Sequence, residues 1–233
     1  MNLIKSTMAA VATAVMFGIT LSPAMAKDES NKISASVKAM KVITASQKSG
    51  IPPMIFKDVV AIAIFPGAVK LDFMVRGRVG RGVLLARDSE GKWSSPVLVT
   101  LNGGTLGWQA IAEPMDIYLL FKNRKNIDDL MKGKLLIGVK SAMVMEGPLG
   151  KSMKGATKEQ LKAEINSYIF ARGEFAPEAT IAGSAVQVDV AANDAFYGKP
   201  KINAADIISG KVGNSSEELK SLHKLLTDYA NRK

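Results

Sequence analysis

Arg76-Gly77-Arg78-Val79-Gly80-Arg81-Gly82 sets three guanidinium groups in one short stretch, with Lys70 just upstream. Guanidinium forks grip phosphate oxygens in pairs, and glycine lets backbone N–H groups approach the same anion. Strand alternation puts Arg76 and Arg78 on one face, where two forks can share one or two phosphates. Lys122, Arg124 and Lys125 form a second cluster at another expected strand end. The chemistry on offer is electrostatic capture of a polyanion. Cations along a solvated strand edge also discourage aggregation, so the pattern alone serves either role.

Covalent or metal chemistry finds little to work with. The chain has one histidine, His223, and no cysteine. Cys-His and Ser-His-Asp arrangements therefore have no support, and transition metals lose their commonest ligands. Gly150-Lys151-Ser152 resembles the end of a phosphate-binding loop, but Met145 stands where the first glycine is required. Gly77, Gly80 and Gly82 reverse the dinucleotide spacing. Both read as tight turns. Asp128-Asp129 and Glu217-Glu218 each open an expected helix, where they complement its dipole. The expectation is a protein that is not an enzyme and uses no metal or cofactor.

The opening residues say where such a protein works. Lys5, the apolar run Met8 to Leu21 and the small-x-small site Ala24-Met25-Ala26 read as a secretory signal peptide over 1–26. The expected location is periplasmic or secreted, and the missing cysteine excludes a lipoprotein anchor. Composition is globular, with 47% hydrophobic and 22% charged residues, and the formal charge is +10. Outside the cytoplasm, nucleic acid is not an expected partner. The polyanions within reach are phospholipid headgroups, lipopolysaccharide phosphates and acidic glycans.

The elements that must position these cations are mostly strands. Residues 27–50 hold an N-terminal helix whose Ile33, Val37 and Met40 share one face, ended by Gly50 and Pro52-Pro53. It can lie on a membrane or pack on its own domain. Val59 to Phe65 reads as a strand buried on both faces and stopped by Pro66-Gly67. Alternating or apolar strands follow at Leu71 to Val79, Val83 to Arg87, Val97 to Leu101, Thr105 to Ala112, Asp116 to Phe121, Leu135 to Met145 and Ile181 to Val190. Helices are expected at Asn126 to Met131, around Lys158 to Phe170, and after an N-cap at Ser215. The predicted fold is α+β and β-dominated, an antiparallel β-sandwich or barrel with packed N- and C-terminal helices. Its β-rich domain covers 51–200, and a C-terminal helical segment covers 201–233.

Across Ile51 to Gly198 the chain resembles the SYLF lipid-binding domain family, linked in fungi to actin regulation. Ile51-Pro52-Pro53, Ala61-Ile62-Ala63-Ile64-Phe65-Pro66 and Arg78-Val79-Gly80-Arg81-Gly82-Val83-Leu84 carry the likeness. So do Gly91-Lys92-Trp93-Ser94-Ser95-Pro96, Gly103-Gly104-Thr105-Leu106-Gly107-Trp108-Gln109, Gly147-Pro148-Leu149-Gly150 and Ala192-Asn193-Asp194-Ala195-Phe196-Tyr197-Gly198. One stretch departs: Ser167-Tyr168-Ile169-Phe170-Ala171-Arg172-Gly173-Glu174-Phe175-Ala176-Pro177 lacks most of the serines usual there. The resemblance implies peripheral binding of anionic lipid, with no particular headgroup. Lys70, Arg76, Arg78 and Arg81 are the expected contacts, with Lys122, Arg124 and Lys125 as a secondary patch. Each cation near an anionic surface contributes about 1 kcal/mol, so four give roughly millimolar affinity. An apolar insertion, from the first helix or Trp108, is therefore expected as well. An envelope protein partner, met through a sheet edge or pocket, is the alternative.

Overall fold

The apolar run after Val59 becomes the middle of a single curled sheet. In the computed structural model, which describes residues 23–45, 50–68, 78–103, 114–137, 142–144, 163–176, 181 and 183–232, β1 spans Ala61–Ala68. It lies between β2 (Arg78–Ala86) and β4 (Met115–Phe121), antiparallel to both. Ala61 to Phe65 are all buried, because both faces of the strand are covered. Pro66-Gly67 does not stop it. The register against β4 slips between Phe65 and Ala68, and the Gly67 N–H donates to Asp116 Oδ1 at 2.9 Å.

Outward from β2 come β3 (Val97–Gly103), β9 (Ser184–Val188) and β5 (Lys134–Leu136) at one edge. Outward from β4 come β7 (Ile165–Ala171) and β6 (Ala142–Val144), with β8 (Glu174–Phe175) paired to β7. Among the described residues every strand pairing is antiparallel except β6 with β7. The sheet curls into a half-barrel with helices packed at both chain ends, so the α+β, β-dominated class is observed.

Helices cover both faces. On one side, Ala61, Ala63, Phe65, Leu84, Val99 and Ile117 join Ile127 and Leu130 of α3 (Arg124–Met131) and Ala204 and Ile207 of α5 (Ala204–Ile208). On the other, Ile62, Ile64, Leu85 and Leu120 meet α1 (Pro23–Ala45), α2 (Pro53–Phe56) and α6 (Glu217–Ala230). α1 buries Ile33, Val37, Met40 and Ile43 there. Each such side chain contributes about 1.5–3 kcal/mol, so peeling α1 away to enter a membrane would cost several kcal/mol. The first helix packs on its own domain.

Four sequence expectations change. Gly80 and Gly82 lie inside β2 rather than in a turn, because β1 passes too close for side chains: a Cβ on Gly82 would sit 2.1 Å from the Ile64 carbonyl oxygen. Leu135 to Met145 is not one strand, since β5 and β6 end up at opposite edges of the sheet. Where the sequence predicts a helix around Lys158 to Phe170, residues 158–162 lie outside the described residues and Ile165 onward forms β7, whose buried Ile165, Tyr168, Ile169 and Phe170 suit a covered sheet. Ser216, not Ser215, caps α6, its Oγ accepting from the Leu219 N–H at 3.2 Å. The strand expected at Thr105 to Ala112 lies outside the described residues.

A helix that the sequence reading left unassigned, α4 (Val190–Tyr197), is clamped to β3 by one side chain. Asn193 is fully buried, accepts from the Leu98 N–H and donates to the carbonyl oxygens of Leu98 and Asp189, at 2.8–2.9 Å. Asn193→Ala strands the buried Leu98 N–H, while the Leu98 carbonyl keeps the Asp189 N–H. It should cost about 2 kcal/mol, read as a lower urea midpoint.

Candidate anion-binding cleft

Of the expected phosphate contacts, Lys70 and Arg76 lie outside the described residues. Arg78 begins β2, its backbone opposite Asn102 on β3. Arg81 differs from expectation. Its Nη2 donates to Glu29 of α1, and its Nε lies 3.6 Å from Asp189 Oδ2. Both carboxylates are buried, and Asp189 also caps α4 by accepting from the Ala192 N–H. The guanidinium thus ties α1 and the α4 cap to the sheet instead of facing a ligand. The physical reason is burial: two carboxylates removed from water need a cation beside them.

The second cluster separates. Lys125 turns along α3 to Asp129, 2.7 Å away, which raises the lysine and lowers the carboxyl through their hydrogen bond. Lys122 sits just past β4, its backbone N–H donating to the Glu164 carbonyl. Burial lowers Lys122, and the Asp58 charge opposes that shift. Arg124, the first residue of α3, reaches back to the carbonyl oxygen of Arg87 at 2.5 Å.

That reach brings Arg124 to an open cleft of about 490 Å³, lined by Lys57, Asp58, Val59, Val60, Arg87, Asp88, Ser89 and Arg124. Antiparallel pairing makes the site. β1 starts, β2 ends and β4 ends at the same margin of the sheet, and the Arg87 N–H donates to the Val60 carbonyl there. Lys57 and Asp58 come from the turn after α2. Three cations from three segments converge on one concavity.

Arg87 is the most constrained of them. Its guanidinium lies 4.5 Å from the centre of the Trp93 ring, across the hairpin bridge that pairs the two residues. Burial pulls it below the ordinary guanidinium value, though it stays charged at neutral pH. Its buried Nε has no hydrogen-bond acceptor. Asp88, next in sequence, spends its Oδ1 on the N–H groups of Glu90 and Lys92. The sequence reading treated Arg87 only as a strand end. An arginine facing a tryptophan across a short glycine-containing hairpin was the available signal.

Several residues behind the family likeness have structural work. Asp194 accepts from the backbone N–H groups of Lys201 and Ile202, and the Tyr197 hydroxyl donates to the Pro96 carbonyl at 2.6 Å. Gly198 ends α4 at φ 64°. The Ser95 hydroxyl accepts from the Asn214 N–H at 3.0 Å. His223 Nε2 lies 2.9 Å from the Ser94 carbonyl, fixing α6 to the hairpin exit. Trp108, an expected insertion residue, lies outside the described residues.

One curled sheet between helical layers, with a cation-lined cleft at its margin, defines a β-rich α+β domain. Among its described residues no helix is long and apolar enough to cross a membrane. The chain belongs to the Ysc84 family, described as Las17-binding protein actin regulators, which matches residues 102–229. It is 28% identical over 211 residues to SH3 domain-containing YSC84-like protein 1 of Xenopus laevis, covering 87% of this chain and 62% of that protein. The Homo sapiens protein of that name is 26% identical over 212 residues, covering 90% and 61%. LAS seventeen-binding protein 3 of Saccharomyces cerevisiae is 29% identical over 197 residues, covering 82% and 42%. The chain thus spans about three fifths of the vertebrate relatives and two fifths of the yeast one.

Proposed function

We propose that this chain is an exported, non-enzymatic binding module that docks at a membrane surface by holding anionic phospholipid headgroups or lipopolysaccharide phosphates. The observation that carries this reading is the convergence of Lys57, Arg87 and Arg124 on one cleft. Lys122 feels the charge of Asp58, which lines the cleft. The site therefore moves from the arginine run to the sheet margin, with Lys70, Arg76 and Arg78 as further contacts of the proposal. Arg81 leaves the set.

Lys57 and Arg124 are both exposed, so Lys57→Gln with Arg124→Gln leaves the core untouched. At about 1 kcal/mol per cation, the pair should weaken cosedimentation with phosphatidylglycerol vesicles about thirtyfold. Unchanged sedimentation would remove the cleft from the account.

A protein partner is the second reading, favoured by the name of the yeast relative, a LAS seventeen-binding protein. In that case recovery of a partner from envelope extract would be indifferent to the lipids supplied, and the same double variant would retain it.

A further inference from the structure

The cut expected after Ala24-Met25-Ala26 falls inside an element that the fold uses. α1 runs unbroken from Pro23 to Ala45, so the Ala26–Lys27 bond lies in its first two turns. We infer that this bond is a processing site open only before α1 docks, and that the Glu29–Arg81 ion pair is the latch that closes it. Such a latch rests on the export reading above. It adds the order in which folding and removal of the signal peptide must occur.

Chain geometry supplies the first reason. Residues i and i+2 share a face on an extended strand but not on a helix. The small-x-small pattern of Ala24 and Ala26 therefore meets a peptidase as one face only when the backbone is extended. Extension also frees the amide groups that a helix commits to its own i to i−4 bonds. Hydrolysis then adds water across the Ala26–Lys27 amide, leaving a carboxylate on Ala26 and an ammonium on Lys27.

The second reason is what pins the start of the helix. Free helix ends fray, and fraying alone would expose the bond. Glu29, the third residue after the cut, prevents this: its side chain is 2% exposed and accepts from Arg81 Nη2 on β2. Arg81 also lies beside Asp189 at the cap of α4, so sheet and helix share the anchor. Ile33, about one turn further on, is buried in the same layer. To straighten the chain through the cut and the three residues after it, Glu29 must leave Arg81, which breaks a mostly buried charge pair. A chain that docks α1 before meeting the peptidase therefore keeps its signal peptide. A chain cut first docks the same helix from Lys27 onward, with Asp28 and Glu29 in the opening turn, where carboxylates complement the dipole.

The test uses the full chain, made in vitro, with detergent-solubilised signal peptidase added either during synthesis or after folding. N-terminal sequencing should find Lys27 as the new end. Addition after folding should cut at least about tenfold more slowly than addition during synthesis. Glu29→Gln, which leaves Asp189 beside Arg81, should recover most of the late cutting. Ile117→Val, on the opposite face of the sheet, lowers stability without touching the latch and should recover none of it. Equal rates early and late overturn the latch and leave the export reading standing. No cut after Ala26 under either condition overturns both. Release by Ile117→Val as large as by Glu29→Gln overturns the assignment to Glu29 and Arg81, since general loosening would then suffice.

Discussion

Gly82→Val should leave the domain unfolded or nearly so, with a loss above about 3 kcal/mol. A Cβ at that position would lie 2.1 Å from the Ile64 carbonyl oxygen and 2.8 Å from Phe65 Cδ1. The first neighbour is backbone in the middle of β1, paired on both sides, so it cannot step aside. Separating β1 from β2 would open the centre of the sheet. Gly80→Ala is the graded comparison: its Cβ would meet the Ala68 side chain at 3.0 Å, a tight contact rather than an impossible one. Urea denaturation followed by circular dichroism should rank wild type, then Gly80→Ala, then Gly82→Val. A Gly82→Val midpoint equal to wild type would mean that β1 and β2 do not pack as described.

Arg81→Gln should cost about 3 kcal/mol, near the lower end for breaking a buried ion pair because the arginine keeps some access to water. Its side chain is 28% exposed, whereas that of Glu29 is only 2% exposed. Removing the cation takes the Arg81 ion pair from both Glu29 and Asp189, and Asp189 must also hold the first turn of α4. The double change Arg81→Leu with Glu29→Leu should recover only the share of the loss that Glu29 carries, since Asp189 still lacks Arg81. No recovery in the double variant would place the cost elsewhere. The practical consequence is that Arg81 variants confound any binding experiment. Lost sedimentation would then report lost structure.

The sequence made the core legible where one strand or helix carries its own pattern. Val59 to Phe65 was readable as a doubly covered strand because no polar residue interrupts it. Leu219, Leu222, Leu226 and Tyr229 formed a stripe that α6 buries as expected. β7 was misread because it follows Lys158-Glu159-Gln160-Leu161-Lys162, a run of good helix formers, and local propensity gave no sign of the flanking strand β4. Splitting 135–145 between two sheet edges is a matter of long-range pairing, invisible to periodicity.

The candidate site was harder to read than the fold. The run Arg76 to Gly82 stood out by composition, but the role of Arg81 depends on Glu29, 52 residues away. Gly80 and Gly82 answer to the approach of β1, not to a phosphate. Arg124 was identified, whereas Lys57 and Arg87 were not, because only antiparallel pairing of β1, β2 and β4 brings their neighbourhoods together. Charge spacing along a chain shows which cations are available. It does not show which of them the fold has already neutralised.

The central claim is that cations at one sheet margin hold this domain to anionic lipid. Cosedimentation of the wild-type chain with phosphatidylcholine vesicles, with and without anionic lipid, over a rising salt series tests it most directly. The account predicts retention on the charged vesicles alone, fading steadily as salt screens the contact. Equal retention on neutral vesicles, or binding indifferent to salt, would contradict it.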